Sequence, residues 1–420
     1  MEQAFECVIG YEKIKEELRQ LCDMVQNREI YERLGAKTPR GILLHGVPGV
    51  GKSMLATAFM RASGMTSYTL RRNRSDGDFV NEIRKTFEQA AEHEPAVILL
   101  DDMDKFVVEE KSSEEYVAVQ ACIDDVRERD VLVIATANDI SDLPDSLLRA
   151  GRFDRKIRIN CPRGEDAVAI IKHYMDAKSF VQEANCEDIS KMLYGKSCAE
   201  LESVINEAAV YAAYERRDAI YMEHLVKATL RSAYGLRNNY EQMSPEKKSE
   251  IAWHEAGHAV IAEMIKEGSV GLLSLAAEEG DIGGFMLRCE EYERRAHRIL
   301  VGLGGKAADE MQNGRIASGT GRDLEEVGHD LWCSIASIGS VGTGFLDASP
   351  IRLSDTALAA RENALIAELE RYLFKAKEIL AKNRPLLEAV KEALLEKGTL
   401  LFSDMRAIRE RVGVVHVEIG

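Results

Sequence analysis

The sequence predicts an α/β unit built on a parallel sheet, a small helical subdomain, and then a separate, mainly helical domain. Three observations carry this. From Gly41 to Ile159, short apolar runs alternate with helical patterns. From Gly164 to about Leu236 the pattern is wholly helical, and the polar stretch 235–249 separates it from a second long helical region.

The apolar runs are GILLH (41–45), TSYTL (66–70), AVILL (96–100), VLVIATA (131–137) and KIRI (156–159). Strands separated by helices call for a parallel sheet with helices on its faces. In the next segment AELESVINEAAVYAAYE (199–215) carries apolar residues at i, i+3 and i+4, a helical period. Ser244-Pro245 then reads as an N-cap and first helical residue, opening a helix expected to run to Gly268. A short hairpin is expected over 270–288, followed by helices to about Arg411.

A chain of 420 residues is too long for one ordinary domain. With 45% hydrophobic and 30% charged residues it has the composition of a folded protein. Its eight cysteines are scattered without a C-x-x-C pair, which argues against a disulfide framework and a cysteine zinc site and favours a reducing compartment. The net charge of −16 makes nucleic acid a poor expected partner. No run is long and apolar enough for a membrane span, so the expectation is a cytoplasmic chain.

GVPGVGKS (46–53) lies between an expected strand and an expected helix, the context a phosphate-binding loop requires. Gly46, Gly49 and Gly51 let the loop Gly46, Val47, Pro48, Gly49, Val50 and Gly51 turn its backbone N–H groups, which all but Pro48 carry, toward phosphates. Lys52 reaches the β- and γ-phosphates of ATP, and Ser53 can hold Mg²⁺. AVILLDDMD (96–104) places Asp101 at a buried strand end to organise the Mg²⁺, with Asp102 next to it to polarise an attacking water. VLVIATAND (131–139) ends another buried strand on Asn138, where a γ-phosphate would sit. In LLRAGRFDR (147–155), Arg149, Arg152 and Arg155 read either as surface arginines pairing with Asp154 or Asp145, or as an arginine finger serving a neighbour's nucleotide.

The run IAWHEAGHAVIAEMI (251–265) puts His254 and His258 four apart, on one face of a helix, where both can ligate one zinc ion. Glu255 is rotated from His254 by about 100° and can serve as general base. Gly257 costs a helix interior roughly 1 kcal/mol against alanine, which suggests close approach of another element. A catalytic zinc needs a third protein ligand. The residues leave Asp323, Glu325, Glu326, His329 and Asp330 open as candidates, while His297 and His329 read as surface or structural histidines.

GVPGVGKS, VILLDDMD, IATAN and LLRAGRFDR, in this order, resemble an AAA+ ATPase, and HEAGH downstream resembles the FtsH family of ATP-dependent zinc proteases. FEQA (87–90), INEAAVYAA (205–213), GGKAADEM (304–311) and RDLEEV (322–327) extend the likeness from about residue 4 to residue 412. The resemblance implies an AAA+ large subdomain over 1–162, a helical lid over 163–236 and a zinc metalloprotease domain over 240–420. It makes Asp323 the third zinc ligand, Arg152 and Arg155 trans-acting fingers, and the assembly a homo-hexamer that degrades protein or peptide substrates.

Three departures from the family stand out. Asp102 replaces its usual glutamate, retreating by about 1.5 Å in a step sensitive to that scale. The aromatic grip of the substrate-pulling loop is replaced by Ser75-Asp76-Gly77, and the stretch 107–130 looks shorter than a second such loop. The family's N-terminal membrane anchor is missing from this chain, which would be membrane-associated if one had been removed. Rival expectations are a zinc peptidase weakly coupled to ATP, and a nucleotide-gated remodelling protein with slow hydrolysis.

Overall fold

In a computed structural model of the chain, every residue is described except 1, 37, 73–77, 107–113, 181–183, 237–242, 278–283, 291, 293, 314–319, 336–354 and 420. The expected pulling loop Ser75-Asp76-Gly77 lies outside the described residues, as do parts of the 107–130 stretch, the 235–249 boundary and the 270–288 hairpin. The contacts group the chain into two compact units. One comprises Met1–Lys178 with Gly195–Ser203, the other Ser179–Tyr194 with Val204–Gly420.

The first unit opens with helices α1 (Glu2–Phe5), α2 (Glu12–Gln26) and α3 (Arg28–Arg33). There follow β1 (Gly41–His45), α4 (Lys52–Ser63), β2 (Thr66–Arg71), α5 (Phe79–Glu92), β3 (Ala96–Asp101), α6 (Glu114–Asp125), β4 (Val131–Ala137), β5 (Arg155–Arg158) and α7 (Gly164–Asp176). The strands form one parallel sheet in the order β2-β3-β4-β1-β5, and each matches an apolar run read from the sequence to within one residue. The central β3 and β4 are buried along their whole length, as the continuous runs AVILL and VLVIATA require of a sheet covered on both faces. The edge strands β2 and β5 each bury a single residue, Leu70 and Ile157.

The second unit contains α8 (Cys186–Met192), most of α9 (Cys198–Tyr214), α10 (Met222–Ala228), α11 (Pro245–Ile265), β6 (Val270–Ser274) and β7 (Phe285–Arg288). It continues through α12 (Arg295–Gly302), α13 (Gly304–Asn313), α14 (Thr320–Cys333), α15 (Asp355–Lys382), α16 (Arg384–Lys397), β8 (Thr399–Leu401) and α17 (Phe402–Val412). Helix α11 starts as expected: Ser244 accepts the Lys247 N–H, with Pro245 in the first turn. It is buried continuously from Ile251 to Met264, the mark of a helix surrounded by packing partners. Gly257 is where α13 comes closest. A Cβ there would collide with the Gly304 carbonyl and the Ala308 methyl, and Trp253 Nε1 donates to the Ala308 carbonyl at 2.7 Å.

Two expectations are corrected. Helix α11 ends at Ile265 rather than Gly268, because the buried Glu263 carboxylate accepts the N–H groups of Gly268 and Val270 and organises a turn into β6. The C-terminal stretch is not helical throughout. Gly398, in the left-handed region at φ 72°, stops α16, and Thr399–Leu401 pairs antiparallel with β6 to complete a β7-β6-β8 sheet. A three-residue apolar run is too short for periodicity to tell strand from helix. No described helix is long and apolar enough to cross a membrane.

Candidate functional site

Parallel strands bring their C-terminal ends to one edge, the usual place for ligands in open α/β sheets. Here the loop after β1 borders a cavity of about 580 Å³, whose wall includes Pro48, Gly49, Val50, Gly51, Lys52 and Ser53. Gly46, Gly49 and Gly51 have φ of 153°, 80° and 94°. At Gly46 a side chain would also strike the Ile159 backbone. Lys52 Nζ donates to the carbonyls of Gly46 (2.7 Å) and Val47 (3.1 Å) and to Asn138 Oδ1 (2.9 Å), so each of its three N–H groups has an acceptor.

Asp101, 6% exposed, accepts on Oδ1 from Ser53 Oγ at 2.7 Å and from Thr136 Oγ1 at 2.8 Å. Asp102 follows in the left-handed region at φ 54°, its N–H donating to Thr136 Oγ1 at 2.8 Å. Its Oδ2 takes Lys105 Nζ at 2.9 Å and Arg71 Nη2 at 3.1 Å. Burial pushes this carboxyl up, but Lys105 and Arg71 outweigh it and hold it below the usual carboxylate range. Asn138 donates its amide to Asp104 Oδ2 at 2.7 Å.

In the second unit, His254, His258 and Asp323 bring one ligand atom each to within 4.8 Å of one another. Helix α11 supplies both histidines and the start of α14 supplies Asp323. His258 Nδ1 donates to the Val301 carbonyl at 2.7 Å, and His254 Nδ1 donates to the Asp309 carboxylate at 2.9 Å. With both Nδ1 atoms protonated, the two Nε2 atoms carry lone pairs, yet they stand 3.2 Å apart with Asp323 Oδ2 at 3.0 and 3.3 Å. Facing lone pairs beside a carboxylate repel unless positive charge lies among them. The pKa directions express the same demand. Burial pushes His254 down, but Asp309 and Asp323 raise it to about 10, and burial of Asp323 is outweighed by both histidines, which hold its carboxyl far below normal. Two imidazole nitrogens and a carboxylate oxygen are a zinc donor set, so the residues fit that ion.

Glu255, 6% exposed, lies beside the cluster, and burial raises its pKa. The Gly284 N–H donates to it, and a Cβ at Gly284 would collide with its side chain. Gly305 plays the same part for the histidines, since a Cβ there would strike both imidazoles.

Comparison with known proteins gives one family match over the range of each constellation. Residues 42–161 match the ATPase family associated with various cellular activities (AAA), and residues 241–339 match peptidase family M41. The ATP-dependent zinc metalloprotease FtsH of Leptotrichia buccalis is 31% identical over 96% of this chain and 56% of its own length. FtsH 2 of Sphaerobacter thermophilus is 30% identical over 94% of the chain and 64% of its own length, and FtsH of Thermotoga maritima 29% over 96% and 72%. The chain is FtsH-like. It spans less than two thirds of the length of the first two of these curated relatives.

In this FtsH-like chain neither Arg152 nor Arg155 lines the nucleotide cavity. Arg152 is held by Asp124, Nε to Oδ1 at 3.1 Å and Nη2 to Oδ2 at 2.7 Å, and Nη1 reaches the Ser146 carbonyl. Of the two partners expected from sequence, Asp154 and Asp145, Asp154 accepts the backbone N–H groups of Arg40 and Gly151. Arg149 and Arg155 are exposed. Among the third-ligand candidates, Glu325, Glu326 and His329 are exposed, and Asp330 is engaged by Arg298. His297 packs edge-on to Tyr292. Sequence reasoning missed Asp309, Gly284 and Gly305. The signal for Asp309 was an acid inside the Ala-rich GGKAADEM, at a position that proves buried.

Proposed function

We propose that the chain is an ATP-dependent zinc metalloprotease that translocates and degrades protein substrates. The observation carrying this reading is the convergence of His254, His258 and Asp323 beside the buried Glu255. The phosphate-loop cavity in the same chain and the FtsH likeness supply the ATP dependence.

His254, His258 and Asp323 would hold the zinc, with Asp309 and the Val301 carbonyl fixing the imidazole orientations. Zinc bound there supplies Lewis-acid polarisation of the scissile carbonyl and acidifies the attacking water. Glu255 accepts the water's proton on its carboxylate and passes it to the leaving amine, a role that burial favours by making the carboxylate more basic. The Gly284 N–H keeps that carboxylate aimed.

In the ATPase, Gly46 to Gly51 and Lys52 bind the phosphates, and Ser53 and Asp101 would hold Mg²⁺. Asp102 positions the attacking water and Asn138 faces the γ-phosphate. Arg152 and Arg155 act on the nucleotide of a neighbour in a homo-hexamer. The domains under this reading are the large subdomain 1–162, the lid 163–236 and the protease 240–420.

Cleavage of a quenched, unfolded protein by the zinc-loaded chain tests the reading, run with ATP, with a non-hydrolysable analogue and without nucleotide. Cleavage with ATP alone is expected. Equal cleavage in all three would sink the coupling, and no cleavage in any would sink the protease.

A further inference from the structure

Two lysines stand on the wall of the nucleotide cavity, and they are not equivalent. Lys52 is fully committed to three acceptors. Lys105, in the short turn Met103–Phe106, has a side chain 62% exposed, and among the described residues its one carboxylate partner is Asp102. The lysine end of this ion pair is open to water, which weakens the pair, while the Asp102 side chain is 16% exposed.

Asp102 would not be stranded by the loss. The same Oδ2 keeps Arg71 at 3.1 Å, and the Asp102 backbone stays tied to Thr136. Lys105 is therefore a cation at this end of the cavity whose partner can be exchanged, while the acid beneath it keeps Arg71 and its backbone tie. A γ-phosphate brings concentrated negative charge with several acceptor oxygens, a stronger draw for an ammonium than a carboxylate already shared with an arginine.

We propose that Lys105 reads the third phosphate: it leaves Asp102 for the γ-phosphate of a nucleoside triphosphate, and so relieves the Asp102 carboxylate of one of its two cations only when there is a triphosphate to hydrolyse. This rests on the reading of the cavity as an ATP site. It also gives the shorter acid a context, because Asp102 is paired in the absence of ligand with a residue that ligand draws away.

The test is calorimetric titration of the full chain with Mg-ADP and with the β,γ-imido analogue of Mg-ATP. The proteins are the wild type, Lys105→Ala and Lys105→Arg, each also in an Asp102→Asn background. Lys105→Ala is expected to weaken the triphosphate analogue roughly tenfold or more, leave ADP within about twofold, and be largely rescued by arginine. That loss persists with Asp102→Asn. An equal change for both nucleotides overturns the proposal, as does a loss that vanishes with Asp102→Asn, since Lys105 would then only neutralise the acid. If the wild type binds neither nucleotide, the ATP reading itself fails and the proposal falls with it.

Discussion

Around the metal cluster, His254, Glu255 and His258 are 5 to 7% exposed, and their partners are a buried acid, a backbone carbonyl and a backbone N–H. At the nucleotide cavity, Asp102, Asp104 and Asn138 are only half-buried, and the working groups satisfy one another: Lys52 with Asn138, Ser53 with Asp101, Asp102 with Lys105. The first arrangement leaves lone pairs and a carboxylate that call for a cation. The second is self-neutralised, so a ligand must displace existing partners. A resident ion suits the former and a ligand that comes and goes suits the latter.

The largest expected effect separates the two regions. Glu255→Gln keeps the shape of the buried acid but removes its basicity, so cleavage of an unfolded protein should fall by roughly 10² to 10⁴. Nucleotide affinity, measured on the same sample, should not move. Cleavage within tenfold of wild type would mean that Glu255 is not the base.

Next in size is the support behind the ligands. Asp309→Ala frees the His254 ring to rotate and removes a buried acceptor, and zinc affinity should drop about 10- to 100-fold in a chelator competition. An unchanged affinity would show that helix α11 alone orients the ring.

Packing around the metal cluster gives a third contrast, this time in sign. Gly257→Ala gains helix propensity of about 1 kcal/mol but drives a methyl into the Gly304 carbonyl, an overpacking cost of roughly 1 to 3 kcal/mol. Gly328→Ala, also in a helix, meets no atom of the described residues within 4 Å and keeps the propensity gain. Thermal unfolding should therefore place the first variant below wild type and the second above it. A stabilised Gly257→Ala would mean that α13 can step back.

These contrasts also show what the sequence made readable. Strands β1, β3 and β4 were plain because a sheet covered on both faces demands unbroken apolar runs, and their ends placed Lys52, Asp101 and Asn138 near one cavity. The i, i+4 histidines were plain because helix geometry alone puts them on one face. Asp323 was one acid among several, since nothing local in RDLEE says which side chain meets α11. Asp309 and Gly305 stayed hidden for the same reason, because their part is fixed by the packing of α13 on α11. Lys105 and Arg71 gave no signal in the sequence, because only the fold brings them to Asp102. What periodicity could not supply was contact across elements, and β8, three residues long, fell below the length at which periodicity decides.

The smallest expected effect concerns how α14, which carries Asp323, is held to α12. Arg298 grips Asp330 through both oxygens, Nε at 3.1 Å and Nη2 at 3.0 Å, and this keeps the Asp330 carboxyl below its usual range. A carboxyl depressed in the folded state contributes stability that is fully present above its unfolded pKa and lost as pH falls through its lower folded one. Asp330→Asn should thus lower stability at neutral pH by less than about 1 kcal/mol, as part-exposed pairs do. The gap from wild type should close once the pH drops below the ordinary carboxylate range, where the wild-type acid is protonated too. Denaturant melts of the two proteins along a pH series would show it, and a gap that stayed constant into acid would assign the loss to packing at the α12 and α14 contact instead of charge.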